Sequence, residues 1–353
     1  VLTPKTGIVC LISARTFIWA SCPRHMAFPT NPGDLVRFNP FEAGHRFDYT
    51  RCILTGLPID PSKDLRPVFP GTWFERAGLQ PGHRLQLVNG SSLDYRDLRL
   101  PVHPTCWEGG LDEVARKCAE LFASGIETLG WTRTERIYQW MCWLFIGVLY
   151  AEMNALSDKE DAHPAWRESS FLNRYRMIHL SLQGAVFPLQ YLGYDPGSVF
   201  ILPLDGDVKG FDFKSSSNTQ SLSLRVGESL ILASLGDNGA HMAFFEDEFL
   251  SYRHQTLSPL QGDEIFARMC YRNHLLNPVF EYGIGFADEE DPTTYIRMQI
   301  PPELAGEEAF GPWSDLEYVT VLDQYLQPHG VEPLKTFQES GEMVTFLEPR
   351  NGS

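Results

Sequence analysis

The stretch "TERIYQWMCWLFIGVLYAEMNAL", Thr134 to Leu156, decides how the rest of the chain is read. It is apolar around most of a helical circumference, the mark of a helix surrounded by protein rather than laid on a surface. At 1.5 Å per residue such a helix runs about 35 Å, long enough to serve as the spine of the molecule. A membrane span does not fit, because Arg136 and Glu152 cut the apolar run short of the roughly 20 residues a bilayer requires.

To either side of this spine the chain changes character. Residues 35–110 are loop-rich, with Pro40, Pro58, Pro61, Pro67, Pro70, Pro81, Pro101 and Pro104 excluding long helices. A helix is predicted from about Gly110, since "LDEVARKCAELFASG" spaces Leu111, Val114, Ala115, Cys118 and Leu121-Phe122 along one face and stops at Gly125. An amphipathic stretch follows around "FLNRYRMIHLSLQ". Beyond it come short strand-like runs: "SVFILPL" (198–204), "GFDF" (210–213), "SLSLRVG" (221–227) and "SLILASL" (229–235). Asn238-Gly239 within "LGDNGAH" predicts a tight hairpin from the last of these into "AHMAFF". "GDEIFARMCYRNHLL" (262–276) returns to helical spacing, and the acidic run "DEEDP" (288–292) reads as a solvated loop.

The expected fold class is therefore α+β. A small N-terminal unit (35–125) leads into a helical region (126–195) with the long buried central helix, and an antiparallel β-rich acidic unit with helices (196–353) follows. Residues 1–25, which contain the apolar run "GIVCLISARTFIWASC", are read as an upstream extension before Met26. Arg15 within that run is costly for membrane insertion.

Charge narrows the function classes. The net formal charge is −16, and residues 126–353 alone hold fifteen Lys and Arg against thirty-three Asp and Glu, a balance of −18. Nucleic acid is repelled by such a field unless a local basic groove outweighs it. Seven cysteines, an odd number with no regular spacing, argue against a disulfide-stapled secreted domain and for a reducing compartment, so the chain is read as cytoplasmic. Phosphate loops, nucleophile elbows and His-Glu-x-x-His helices are absent from the sequence. His179 and His241 sit in patterned segments and read as hydrogen-bonded structural histidines.

The residues with the chemistry of a site are confined to the neutral N-terminal segment. Cys52, His103 and Cys106 are candidate metal ligands, the last two in a His-x-x-Cys knuckle, while Thr55 stands where a Cys-x-x-Cys partner of Cys52 would be. Three ligands and a neutral hydroxyl make an incomplete structural zinc site.

At "CILTG" (52–56), "RPVFPGTW" (66–73) and "YRDLRLPVHPTCWEGGLDEV" (95–114), in this order, the chain resembles the HNH endonucleases, in particular a bacterial group with a long C-terminal extension. The resemblance continues through "YQWMCWLFIGVLYAE" (138–152), "HLSLQ" (179–183), "SVFI" (198–201), "FDF" (211–213), "LRVG" (224–227) and "LGDNGA" (235–240). It implies a ββα-metal N-terminal unit and a setting in DNA metabolism or defence. The departures fall where that family does its chemistry. Arg66-Pro67 replaces the Glu-His pair whose histidine activates water, Trp107 replaces the asparagine after the second knuckle, and Thr55 and His103 replace two knuckle cysteines. No catalytic residue is carried over, and the expectation is a degenerate relative that binds a protein partner. The alternative is an active nuclease with relocated groups, for which Asp60, Asp64, His45 or His83 could supply base or ligand.

Overall fold

The computed structural model describes residues 37–41, 46–87, 90–125, 134–157, 172–193, 196–205, 210–277, 281–285, 293–299 and 308–347. Residues 1–25, His45 and the "DEEDP" run lie outside them. The architecture is α+β. Among the described residues no helix is long and apolar enough to cross a membrane.

The N-terminal unit pairs β1 (Leu65–Pro67) with β4 (Arg99–Pro101) in antiparallel register. Between them lie the short helix α1 (Thr72–Arg76) and the hairpin of β2 (Arg84–Gln86) with β3 (Ser92–Asp94). Helix α2 then coils through four successive pieces, Pro104–Cys106, Trp107–Leu111, Glu113–Lys117 and Cys118–Ala123, the middle two with the wider turns of a π-helix. The irregularity has a steric cause. Gly110 sits at φ +148°, and a Cβ there would lie 2.1 Å from the Ala185 carbonyl oxygen, so only glycine admits that neighbour.

Helix α3 (Thr134–Ser157) is the predicted spine. Trp140, Met141, Cys142, Trp143, Leu144 and Ile146 are all fully buried, which explains why no polar face interrupts the sequence. On one side α3 meets the N-terminal unit. The Trp143 indole donates to the Val68 carbonyl at 3.1 Å, and Gly147 leaves no room for a Cβ against the Val68 methyls. Helix α4 (Arg176–Gln183) packs alongside, followed by β5 (Leu189–Leu192).

Strands β6 (Ser198–Pro203), β7 (Phe211–Ser216), β8 (Ser221–Val226) and β9 (Ser229–Ser234) form an antiparallel sheet in the order β6-β9-β8-β7. β9 is buried along its whole length because both faces of the sheet are covered. Leu222, Leu224, Ile231 and Ala233 join the core shared with α3 and the N-terminal unit. Phe200, Leu202, Leu230 and Leu232 face the other way and pack on helices α5 (Ala240–Arg253) and α6 (Pro259–Leu275). This alternation is the strand period expressed as two cores.

Two sequence expectations are corrected here. The Asn238-Gly239 pair does adopt positive φ values, but it opens helix α5 rather than a hairpin into "AHMAFF". The deciding group is Asp237, whose carboxylate accepts the N–H groups of Gly239 and His241 and so turns the chain into a helix start. The tight hairpin lies earlier, where Val226 pairs with Ser229 across Gly227-Glu228. Secondly, the strands within residues 196–353 pair antiparallel as expected, but the helical region before them contributes a strand of its own. β10 (Glu281–Gly285) pairs antiparallel with β11 (Thr294–Gln299), but β11 runs parallel to β5. Helix α6 begins three residues before its predicted start, because Ser258 and Gln261 form a reciprocal capping box with Pro259 in the first turn. Helices α7 (Asp315–Leu326) and α8 (Pro333–Ser340) complete the chain, α7 packing on α6 through Tyr271, Tyr318 and Leu322.

Candidate functional site

The predicted ligand residues do not converge as a set. Cys52 and Cys106 are fully buried, and their sulfurs lie 3.9 Å apart. That is close to the edge of a tetrahedron built on ~2.3 Å zinc–sulfur bonds. Thr55, also buried, places its hydroxyl 4.0 Å from the Cys106 sulfur. His103 departs from the expectation. It caps the N-terminus of α2, and its Nδ1 accepts the Thr105 N–H at 3.3 Å, so the imidazole is engaged in its own helix cap. Among the described residues no group of three or more His, Cys, Asp or Glu side chains is arranged to hold a metal ion. Two thiols and a neutral hydroxyl do not fit structural zinc, which takes four nitrogen or sulfur donors.

The two thiols are not equivalent. Burial pushes the Cys52 thiol up, but hydrogen bonds from Cys106, the His103 backbone, Thr55 and the Leu54 backbone outweigh it and hold it below the ordinary thiol range. The Cys106 thiol is pushed up, first by its bond to Cys52 and then by burial.

The loop keeps the shape of a knuckle by other means. Gly56 N–H donates to the Cys52 carbonyl, Cys52 N–H to Leu57 and Ile53 N–H to Pro101. From α4, the His179 Nε2–H donates to the Ile53 carbonyl at 2.8 Å, and the Gln183 amide donates to Leu54 at 2.7 Å and to Phe38 at 2.9 Å. His179 and Gln183 are one helical turn apart on the same face, so a single helix clamps successive carbonyls of the loop. His179 was expected to be structural, and this is its role. Gln183 was missed. Its signal was the i, i+4 spacing of two polar residues on one face of an amphipathic helix.

The positions that the resemblance gives to the reacting groups are filled by packing. The Arg66 guanidinium lies over the Trp107 ring, 5.4 Å from its centroid, and Arg66 also reaches Asp64 at 4.0 Å. Trp107 leans on Trp143 of α3 with ring centroids 6.0 Å apart. The phrase "VFPGTW" is core: Val68, Phe69 and Trp73 are buried, and the Trp73 indole donates to the Ala119 carbonyl at 2.9 Å. The candidate substitutes for a base are engaged in local structure. Asp60 accepts from Ser62, Asp64 accepts the Asp60 N–H, and His83 accepts the Gln80 N–H while stacking on Phe211.

A second polar cluster, not seen in the sequence, lies at the start of α5. The buried Asp237 carboxylate accepts from Ser198 N–H at 2.9 Å, Ser198 Oγ at 2.7 Å, His241 N–H at 3.0 Å and Gly239 N–H at 3.3 Å. His241 Nε2 meets Asn273 Oδ1 at 2.9 Å, and Asn273 in turn donates to Ser221, Ser234 and the Thr219 carbonyl. Burial lowers the His241 pKa, so its imidazole is neutral, as expected of a structural histidine. The cluster ties α5 and α6 to the sheet.

Comparison with family models, with curated proteins and with solved structures found no match to this chain.

Proposed function

We propose that this chain is a degenerate relative of the HNH endonucleases that no longer cleaves nucleic acid and serves as a binding module for a protein partner. The observation that carries the reading is the Arg66–Trp107 contact, which occupies the positions corresponding to the general base pair and the asparagine of that family. A hydrolytic site needs a group that takes a proton from water and donors that hold a divalent metal. Pro67 has no ionisable group, and the Arg66 cation repels a metal at the position where a carboxylate would attract it.

The character of the surface supports a protein partner. Among the described residues, the large apolar side chains that remain exposed, Met242, Phe244, Leu250, Trp313, Leu316 and Met343, all lie in the acidic part of the chain after residue 126. Protein interfaces draw on aromatic and methionine side chains and place no demand for a basic face, unlike phosphate recognition. The reading includes a cytoplasmic location, in keeping with described cysteines that are all free.

The test is cleavage of supercoiled plasmid by the purified full chain with added magnesium or manganese. No nicking above the buffer control is expected, and no mobility shift of duplex DNA at physiological salt. Metal-dependent nicking that follows the protein peak through gel filtration would overturn the reading in favour of a nuclease with relocated groups.

A further inference from the structure

We propose that Cys52 and Cys106 form a reversible disulfide, a covalent staple in place of a metal. The geometry carries it. The sulfurs are 3.9 Å apart in the reduced protein, and bonding at about 2.05 Å requires each to move by roughly 0.9 Å, a small rotation about χ1. The pair joins the loop after Arg51 to the first turn of α2, and Ile53 N–H on the Pro101 carbonyl holds that loop beside the strand that leads into the helix.

The pairing is selective. Of the other described cysteines, Cys118 lies against the Arg136 carbonyl, Cys270 against the Tyr325 hydroxyl, and Cys142 is enclosed in α3. Thr55 fills the position of a third thiol with a group that cannot exchange with a disulfide, so among the described residues the link has no neighbouring sulfur to shuffle onto.

Both sulfurs have no exposed surface, which restricts the oxidant to a small neutral molecule, and a peroxide fits that class. One thiolate attacks a peroxide oxygen: an S–O bond forms, the O–O bond breaks, and the departing hydroxide leaves as water with the thiol proton. The second sulfur attacks the resulting sulfenic acid: the S–S bond forms, the S–O bond breaks, and a second water leaves with the second thiol proton. Two thiols lose two electrons, and hydrogen peroxide is reduced to two waters. The inference rests on thiol geometry and is independent of whether the chain cleaves or binds.

The experiment treats the reduced, folded full chain with hydrogen peroxide, quenches with catalase, blocks free thiols with iodoacetamide under denaturing conditions and maps peptides by mass spectrometry. The expected product is a cross-linked peptide pair containing Cys52 and Cys106, two hydrogens lighter than the sum of its parts and separated by dithiothreitol. It should appear before Cys118, Cys142 or Cys270 is modified. Cys52→Ser should abolish that pair, and the wild-type peptide map decides the matter even where the variant folds poorly. Recovery of both cysteines as alkylated thiols, as sulfinic acids or in links to other cysteines would overturn the proposal.

Discussion

Gly147→Ala is expected to destabilise the protein, although alanine is the better helix former. In an open helix the change would stabilise by about 1 kcal/mol. Here the added Cβ would lie 2.5 Å and 2.7 Å from the two Val68 methyls and 3.2 Å from the Val68 Cβ. Val68 has little room to retreat. Its N–H is bound to the Leu98 carbonyl, its own carbonyl receives the Trp143 indole, and χ1 of a β-branched side chain is restricted. Overpacking of a fixed core costs ~1–3 kcal/mol, and with two methyls struck at once the upper end applies, for a net loss of about 1–2 kcal/mol. Val68→Ala alone removes two methyls and leaves a cavity, a loss of ~2–3 kcal/mol. Combining the two changes removes the clash and partly refills the cavity, so the double variant should lose only about 1–2 kcal/mol, with a favourable coupling of about 2–3 kcal/mol. Urea unfolding followed by tryptophan fluorescence on all four proteins measures this cycle. A Gly147→Ala protein more stable than wild type, or additivity within about 0.5 kcal/mol, would refute the packing argument.

Glu152, buried in α3 with one carboxylate oxygen lacking a hydrogen-bond partner, is pushed by burial from 4.5 up to about 7. The unfolded state loses the proton first, so stability should fall as pH rises from about 4.5 to 7 and level off above, by on the order of 3 kcal/mol. Glu152→Gln should remove that slope in unfolding curves taken across the same range; an unchanged slope would assign it to other groups. Gln183→Ala removes one of the two donors to the buried Leu54 carbonyl, which keeps the Phe38 N–H, together with the bond to the Phe38 carbonyl; losing both bonds should cost ~1–3 kcal/mol, read as a lower urea midpoint and faster amide exchange in residues 52–57. Asp237→Asn turns an all-acceptor group into one that directs a donor at N–H and O–H donors, and should cost ~1.5–3 kcal/mol with loss of exchange protection at the start of α5.

Much of the fold was legible because its signals were local. The all-round apolar character of Thr134–Ser157 is what a helix enclosed on every side must show, and the strand runs at 198–235 alternate because two different cores receive their two faces. The start of α5 was misread because Asn-Gly supplies the positive φ values of either a hairpin or a helix entry. The choice between them depends on the Asp237 carboxylate reaching Ser198, a partner 39 residues away. At the candidate site, the nearness of Cys52 to Cys106 followed from reading both as ligands of one metal. The orientation of His103 did not, because a residue type that can ligate metal can equally cap a helix, and spacing does not distinguish the two. The clamp from α4 was only half legible for a related reason: the i, i+4 spacing marks His179 and Gln183 as one face, but their partners are backbone carbonyls, which leave no trace in side-chain patterns.

That clamp also sets an order of events during synthesis. The carbonyls of Ile53 and Leu54 receive side chains 126 and 129 residues downstream, so the loop cannot reach its final form until the chain has been made past Gln183 and helix α4 has docked. Until then the N-terminal segment, with its two thiols and its aromatic core residues, remains open to solvent and to chaperones. A fragment ending at Gly125 would stay in that unfinished state permanently.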